Sequence, residues 1–289
     1  MITDFSYTTG ETLLRIEGIS MAYGKIKKNP DGSIASAEHL ILDGISETVS
    51  DIIRPNMTQG QIVCLLGPSG RGKTQLFRII AGLQKPTTGQ VLIGPEGTVV
   101  RPGMVGVVSQ FYPLLEHRTV LQNLVIAGRQ AGLTKVGARE KAMHYLDRFG
   151  MADKADQWPV LLSGGQRQRI AICQQLMCSE HLLLMDEPFS GLDPIAVDNV
   201  TRTIMEVANE NEKNTVFVVT HDVTAGCTVA DTLWLMGRDN NPDGSPTSGS
   251  YIKYKYNLVE EGLAWRPSIT EEQHFLTFVR DIKRQFKEL

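Results

Sequence analysis

Residues 67–74 read Gly-Pro-Ser-Gly-Arg-Gly-Lys-Thr. This is the pattern G-x-x-x-x-G-K-[ST], set between a compact apolar run (61–66) and a stretch of helical spacing (73–83). Its chemistry is phosphate binding. Gly67, Gly70 and Gly72, with Pro68, Ser69 and Arg71 between them, let the backbone curl into a nest of N–H donors. The following helix N-terminus adds partial positive charge. Lys73 can reach the β- and γ-phosphates of a nucleotide, and the Thr74 hydroxyl can ligate Mg²⁺. A dinucleotide fingerprint is not supported, because Gly70-Arg71-Gly72 is followed by Gln75 where a third glycine would fall.

A second chemical signal follows the apolar run Leu182-Leu183-Leu184-Met185, which leads straight into Asp186, Glu187 and Pro188. Two carboxylates at the exit of a buried strand are costly unless positive charge meets them, and a Mg²⁺–nucleotide complex supplies it. Asp186 then fits the metal-side acid, and Glu187 the general base that polarises an attacking water. A third signal is Leu162-Ser163-Gly164-Gly165-Gln166, followed by Arg167, Gln168 and Arg169. Ser163 stands where an N-cap would stand, and Gly164 and Gly165 permit close backbone approach, so this is an anion-binding helix start.

Together these motifs resemble the ATP-binding subunit of an ABC transporter, over roughly residues 12–236 and in the family's order. Lys73 and Ser163 are 90 residues apart, Ser163 and Asp186 are 23 apart, and Glu187 and His221 are 34 apart. The resemblance implies ATP and Mg²⁺ as ligands, with Thr74, Gln110 and Asp186 around the metal. It implies that Tyr23 stacks on adenine, that Gln110 also contacts water and reports to a membrane subunit, and that His221 contacts the γ-phosphate. Ser190-Gly191-Leu192-Asp193 resembles the loop that crosses the interface between two cassettes. Ser163, Gly164, Gly165 and Gln166 would complete the site of a second cassette, two ATPs lying between cassettes arranged head to tail. A full motif set in one chain makes a homodimer sufficient.

Phe111-Tyr112-Pro113-Leu114-Leu115 and Arg118 to Leu124 resemble importers of the nitrate, sulfonate and taurine type. That resemblance implies transmembrane permease subunits, a groove for their coupling helix, and a periplasmic or extracellular solute-binding protein. An exporter or lipid-transport cassette carries the same motifs. A non-transport relative acting on DNA or ribosomes would carry a coiled-coil insertion or two cassettes, and neither is seen. Two positions depart from the family. Gln75 replaces a common Ser or Thr and so offers no hydroxyl to the α-phosphate, and Arg71 replaces a small residue and raises local positive charge.

The elements that must position these residues follow from periodicity. Apolar strands at 61–66, 104–109, 181–185 and 215–219 alternate with helical stretches at 73–83, 164–178 and 194–210, which indicates a parallel α/β core. The fold expected is therefore α/β: a P-loop NTPase cassette with a parallel-sheet core, an N-terminal antiparallel β portion and a helical subdomain. Residues 13–23 read as a strand ending at Tyr23, residues 25–38 as a loop or hairpin insertion, and Arg54-Pro55-Asn56-Met57 as an unusual lead into the phosphate-loop strand. The helical subdomain covers about 111–162 of a 1–236 cassette. Residues 237–289 form an extension packed on it: a loop (237–250), a half-buried strand (251–258) and a helix. That helix opens with Thr270 and Gln273 in capping-box spacing and shows Phe275, Phe278, Val279, Ile282 and Phe286 on one face. No internal repeat is evident.

Composition bounds the rest. The 289 residues are 42% apolar, enough for a substantial core, and the net charge of −3 gives no electrostatic case for nucleic-acid binding. The apolar runs are far shorter than the ~18 residues of a membrane span. Met1-Ile2-Thr3-Asp4 lacks the start of a secretory signal. The expectation is a soluble cytosolic chain, peripheral on the cytoplasmic membrane face through its partners. Cys64, Cys173, Cys178 and Cys227 lack zinc spacing and read as reduced core thiols.

Overall fold

Strand β3 (Gln61–Leu66) is buried at every position, as a strand covered on both faces must be. In the computed structural model, which describes residues 7–54, 59–179, 182–264, 266 and 269–289, β3 lies inside a six-stranded sheet. Its parallel neighbours are β8 (Thr215–Thr220) and β9 (Thr232–Gly237). Beyond β8 come β7 (Leu182–Asp186) and β6 (Gly106–Val108), also parallel. β10 (Tyr251–Asn257) closes the other edge, antiparallel to β9. Pro55, Asn56 and Met57, residues 1–4 and position 181 lie outside the described residues.

The period of two along these strands splits their side chains between two cores. Val63, Leu65, Phe217 and Trp234 face helix α1 (Lys73–Ile80) and a four-stranded antiparallel sheet. That sheet has the order β2–β1–β4–β5, from β1 (Thr8–Lys28), β2 (Ile34–Ile53), β4 (Thr88–Ile93) and β5 (Thr98–Val99). Ile62, Cys64, Leu66, Val216 and Val218 face the remaining helices. These are α2 (Val120–Gln130), α3 (Lys135–Arg148), α4 (Gly164–Leu176), α5 (Pro194–Ala208), α6 (Val223–Val229) and α7 (Gln273–Phe286). The cysteines are free, with Cys64, Cys173 and Cys227 inside this core; burial pushes the Cys227 thiol up to about 12.

The first strand does not end at Tyr23. β1 and β2 form one long hairpin whose register shifts repeatedly, and its tip is the 25–38 insertion. The turn is Asn29-Pro30-Asp31-Gly32-Ser33, and the same five residues recur at 241–245. Both copies fold alike. Asn29 N donates to Ser33 O (2.9 Å) and Asn241 N to Ser245 O (2.7 Å). The Ser33 and Ser245 hydroxyls each donate to the Asp of their own turn at 2.6 Å. The sequence therefore does contain a short internal repeat, one that encodes a turn rather than a structural unit.

A buried ion pair ties the base of the parallel sheet together. Asp231 is fully buried; one carboxylate oxygen meets the Arg54 guanidinium, and the other accepts from Ile62 N at 2.8 Å. The same residue's carbonyl accepts from Leu258 N at 2.8 Å, linking the end of β10. Helix α7 then buries Phe275, Val279 and Ile282, with Phe278 edge-on to Tyr256 of β10 at 5.6 Å. The capping box expected from Thr270 and Gln273 does not form. The N-cap is Glu272, without a side-chain cap bond, because Thr270 is taken into a 3-10 turn at Ile269–Glu271.

Candidate nucleotide site

The phosphate loop runs from the end of β3 into α1. Two of its glycines are required by geometry. Gly72, the N-cap, has φ 86°, and a Cβ there would stand 2.8 Å from Leu42 Cδ2; one on Gly67 would stand 2.8 Å from Met236 O. No side chain caps α1, so its first N–H groups are left for an anion. Lys73 folds back under the loop, buried, donating to Gly67 O at 2.7 Å and Pro68 O at 3.2 Å. Its Nζ lies 3.8 Å from Glu187 Oε1. Burial draws the Lys73 ammonium below its usual range, and the charges of Glu187 and Asp186 oppose that shift. Thr74 is exposed at the same helix start.

The acidic pair leaves the sheet beside this loop. Asp186 is the last residue of β7, and Glu187 adopts φ 49°, a left-handed conformation rare for a non-glycine. Its N–H still donates to Val219 O at 2.8 Å, so the ladder holds while the chain turns. Glu187 Oε2 accepts from Thr220 Oγ1 (3.2 Å) and His221 N (3.3 Å), and lies 2.8 Å from His221 Nδ1. Lys73, Glu187 and His221 are thus brought together from the start of α1 and from just past the ends of β7 and β8. Asp186 Oδ1 is buried with no hydrogen-bond partner. Burial foremost, and then the Glu187 charge, push its carboxyl above the usual aspartate range, against the pull of Lys73.

An orphaned carboxylate oxygen beside a second carboxylate fits a divalent cation. No group of three His, Cys, Asp or Glu able to hold a metal exists among the described residues. The donor chemistry at this point, carboxylate and hydroxyl oxygen, suits Mg²⁺, a hard cation that takes oxygen ligands. Asp186, Thr74 and Gln110 are the residues that would hold it. Gln110 is exposed just after β6. The chain beyond it turns at Tyr112 (φ 44°), whose half-buried phenol is pushed up to about 12 by desolvation.

The remaining candidates lie on other elements. Ser163 caps α4, accepting from Gln166 N at 3.3 Å while Gln166 Oε1 accepts from Ser163 N at 2.9 Å. A Cβ on Gly164 or Gly165 would meet nothing within 4 Å, so this helix start presents bare backbone. No hydrogen bond or ion pair joins Ser163–Gln166 to the phosphate loop among the described residues. Asp193 caps α5, accepting from Ala196 N at 3.0 Å. Tyr23 is 43% exposed, its hydroxyl bonded to Gln75 and Gln84.

Sequence reasoning missed three supporting residues: Thr220, Gln84 and Arg167. Arg167 directly follows the 162–166 motif; its Nε donates to Tyr112 O (3.4 Å) and its Nη1 to Pro159 O (3.3 Å), and it pairs with Glu116. It therefore fastens the start of α4 to the segment after Gln110. Within that segment Phe111 is 84% exposed, whereas Leu114, Leu121 and Leu124 are core. Asn123 is fully buried and staples the bend, accepting from Leu115 N (2.7 Å) and donating to Thr119 O (2.9 Å).

A nucleotide-phosphate loop, an acidic strand end and a capped glycine helix start on this two-sheet frame define an ATP-binding cassette. The family model described as "ABC transporter" matches residues 51–190. The glutamate/aspartate import ATP-binding protein GltL of Escherichia coli (strain K12) is 33% identical over 216 residues, 71% of this chain and 88% of GltL. The aliphatic sulfonates import ATP-binding protein SsuB of Burkholderia ambifaria is 35% identical over 210 residues, 71% of this chain and 63% of SsuB. Among solved structures, CbiO1 of Clostridium perfringens, part of the ABC transporter complex CbiONQ, shares the fold. Its TM-score is 0.68 at 22% identity, over 96% of this chain and 98% of that one. The chain belongs to the ABC transporter ATP-binding family, and is an ATPase of the kind that powers transport. No helix among the described residues is long and apolar enough to cross a membrane.

Proposed function

We propose that this chain hydrolyses ATP to drive an importer of a small solute of the nitrate, sulfonate or taurine type, from the cytoplasmic face of a membrane. The observation that carries the hydrolytic reading is the meeting of Lys73, at the start of α1, with Glu187 and His221, just past the ends of the adjacent parallel strands β7 and β8. The import relatives GltL and SsuB favour import. The ATPase cassette is residues 1–236, with the helical subdomain at about 111–162, and residues 237–289 are an extension packed on it.

In this reading the backbone of Gly67 to Gly72, with Lys73 and Thr74, holds the triphosphate, and Tyr23, with Gln75 beside it, takes the adenine. Mg²⁺, when bound, neutralises charge on the β- and γ-phosphates. Glu187 accepts a proton from the attacking water. The bonds from Thr220 and His221 N aim one of its oxygens, leaving the other toward Lys73. On nucleotide entry the His221 ring leaves Glu187 for the γ-phosphate. Gln110 would contact the metal and the attacking water. Ser163, Gly164, Gly165, Gln166 and Asp193 serve the site of a second copy of the chain. The bare backbone at 164–165, unconnected to its own phosphate loop, supports that role.

The partners are transmembrane permease subunits and a solute-binding protein. Purification of the tagged chain from membranes, with identification of what accompanies it, tests this. A multispanning membrane protein encoded beside a solute-binding protein supports the proposal; ribosomes or DNA in its place overturn it.

A further inference from the structure

The hydroxyl of Tyr23 is held on two sides. It donates to Gln75 Oε1 at 3.2 Å and accepts from Gln84 Nε2 at 2.9 Å. Gln75 lies in the first turn of α1, one residue after Thr74, and Gln84 lies past the other end of that helix. The backbone end of the residue is held as well. Tyr23 pairs with His39 of β2, and Ala22 N donates to Thr87 Oγ1 at 3.0 Å. The ring is therefore fixed at its root and at its tip while 43% of the residue stays open to solvent. A serine or threonine at position 75 would end well short of the ring.

We propose that Gln75 and Gln84 are positioning residues that clamp the Tyr23 ring as a preformed platform for the base of a nucleoside triphosphate. The inference rests on the reading of Tyr23 as the base-stacking residue. A free aromatic side chain loses rotamer freedom when a base lands on it, and the clamp removes that loss before binding. Ordering one side chain is worth about two- to tenfold in affinity. Stacking tolerates every base, so the clamp sets affinity for nucleotides in general and leaves the phosphate contacts alone. It also joins the platform to the helix turn that carries Lys73 and Thr74, so base and phosphates are registered against one element.

The test measures ATPase half-saturation on the full chain, together with inhibition by inorganic tripolyphosphate, which has phosphates and no base. Tyr23→Ala is expected to raise half-saturation about tenfold or more, the size of a lost base–aromatic stack. Gln75→Ala, Gln84→Ala and Tyr23→Phe are each expected to raise it about two- to tenfold, with tripolyphosphate inhibition nearly unmoved. Adding Gln75→Ala to Tyr23→Phe should cost little more, because Tyr23→Phe has already removed the bond to Gln75. If the glutamine variants bind ATP normally while Tyr23→Ala does not, the ring stacks without a clamp and the inference is overturned. If Gln75→Ala weakens tripolyphosphate, or costs as much without the hydroxyl as with it, Gln75 acts on phosphate and the inference is again overturned. If Tyr23→Ala binds ATP normally, the stacking reading fails and takes the clamp with it.

Discussion

Replacing Asp186 by Asn should stabilise the nucleotide-free protein while removing its Mg²⁺-dependent activity. Asp186 Oδ1 is buried without a partner, next to Glu187, and its carboxyl is pushed above the ordinary aspartate value of 3.8. Burying an ion costs several kcal/mol, whereas a neutral amide costs about 1–3 kcal/mol. The residue is only partly buried, so solvent screening reduces that difference, and the lost attraction to Lys73 reduces it further. The remaining gain is about 1 kcal/mol, which for a chain of this size raises the melting temperature by roughly 2–4 °C. The sign follows from linkage. A carboxyl whose folded value is raised stabilises the fold below its unfolded value and loses that contribution as pH rises through the folded value. The Asn variant should therefore melt higher than wild type at pH ~7.5, and the difference should fade toward pH ~4. Calorimetric scans without nucleotide or metal at the two pH values measure it. Adding Mg²⁺ and ATP should then raise the wild-type midpoint more than the variant's. A variant that melts lower than wild type at neutral pH would refute the claim that this carboxylate is uncompensated in the free protein.

Ser163→Ala removes the α4 cap bond and should cost about 1 kcal/mol in a thermal melt, while ATPase activity falls by much more than that loss explains. Asp231→Ala removes the buried carboxylate that meets the Arg54 guanidinium and accepts from Ile62 N, and should destabilise by roughly 3–5 kcal/mol in denaturant titration.

The parallel core was legible because its strands are continuous apolar runs closed by sharp chemical punctuation. Residues 61–66 end at Gly67, and 182–185 end at Asp186, so the strand bounds and the phosphate-side residues come together. The antiparallel sheet was harder. Register shifts along β1 and β2 break the alternation that marks a half-buried strand, and the hairpin carries polar residues past Tyr23 to its turn. The turn itself was written twice, as Asn-Pro-Asp-Gly-Ser, and only its folded hydrogen bonds give the repetition a meaning. Thr270 and Gln273 had capping spacing, but the helix begins after Glu272, because Thr270 is taken into the 3-10 turn before it. Long-range polar partners were invisible for a simpler reason. Asp231 and Ile62, or Glu187 and Thr220, meet only because neighbouring strands bring distant segments side by side.

The most direct measurement is the ATP turnover of Glu187→Gln, alongside its affinity for ATP. The amide keeps the shape of the side chain and cannot accept the proton of the attacking water. ATP binding should persist and turnover should fall ~10²–10⁴-fold, the range of a lost general base. Near wild-type turnover in this variant would remove Glu187 from the chemistry and contradict the assignment of the site.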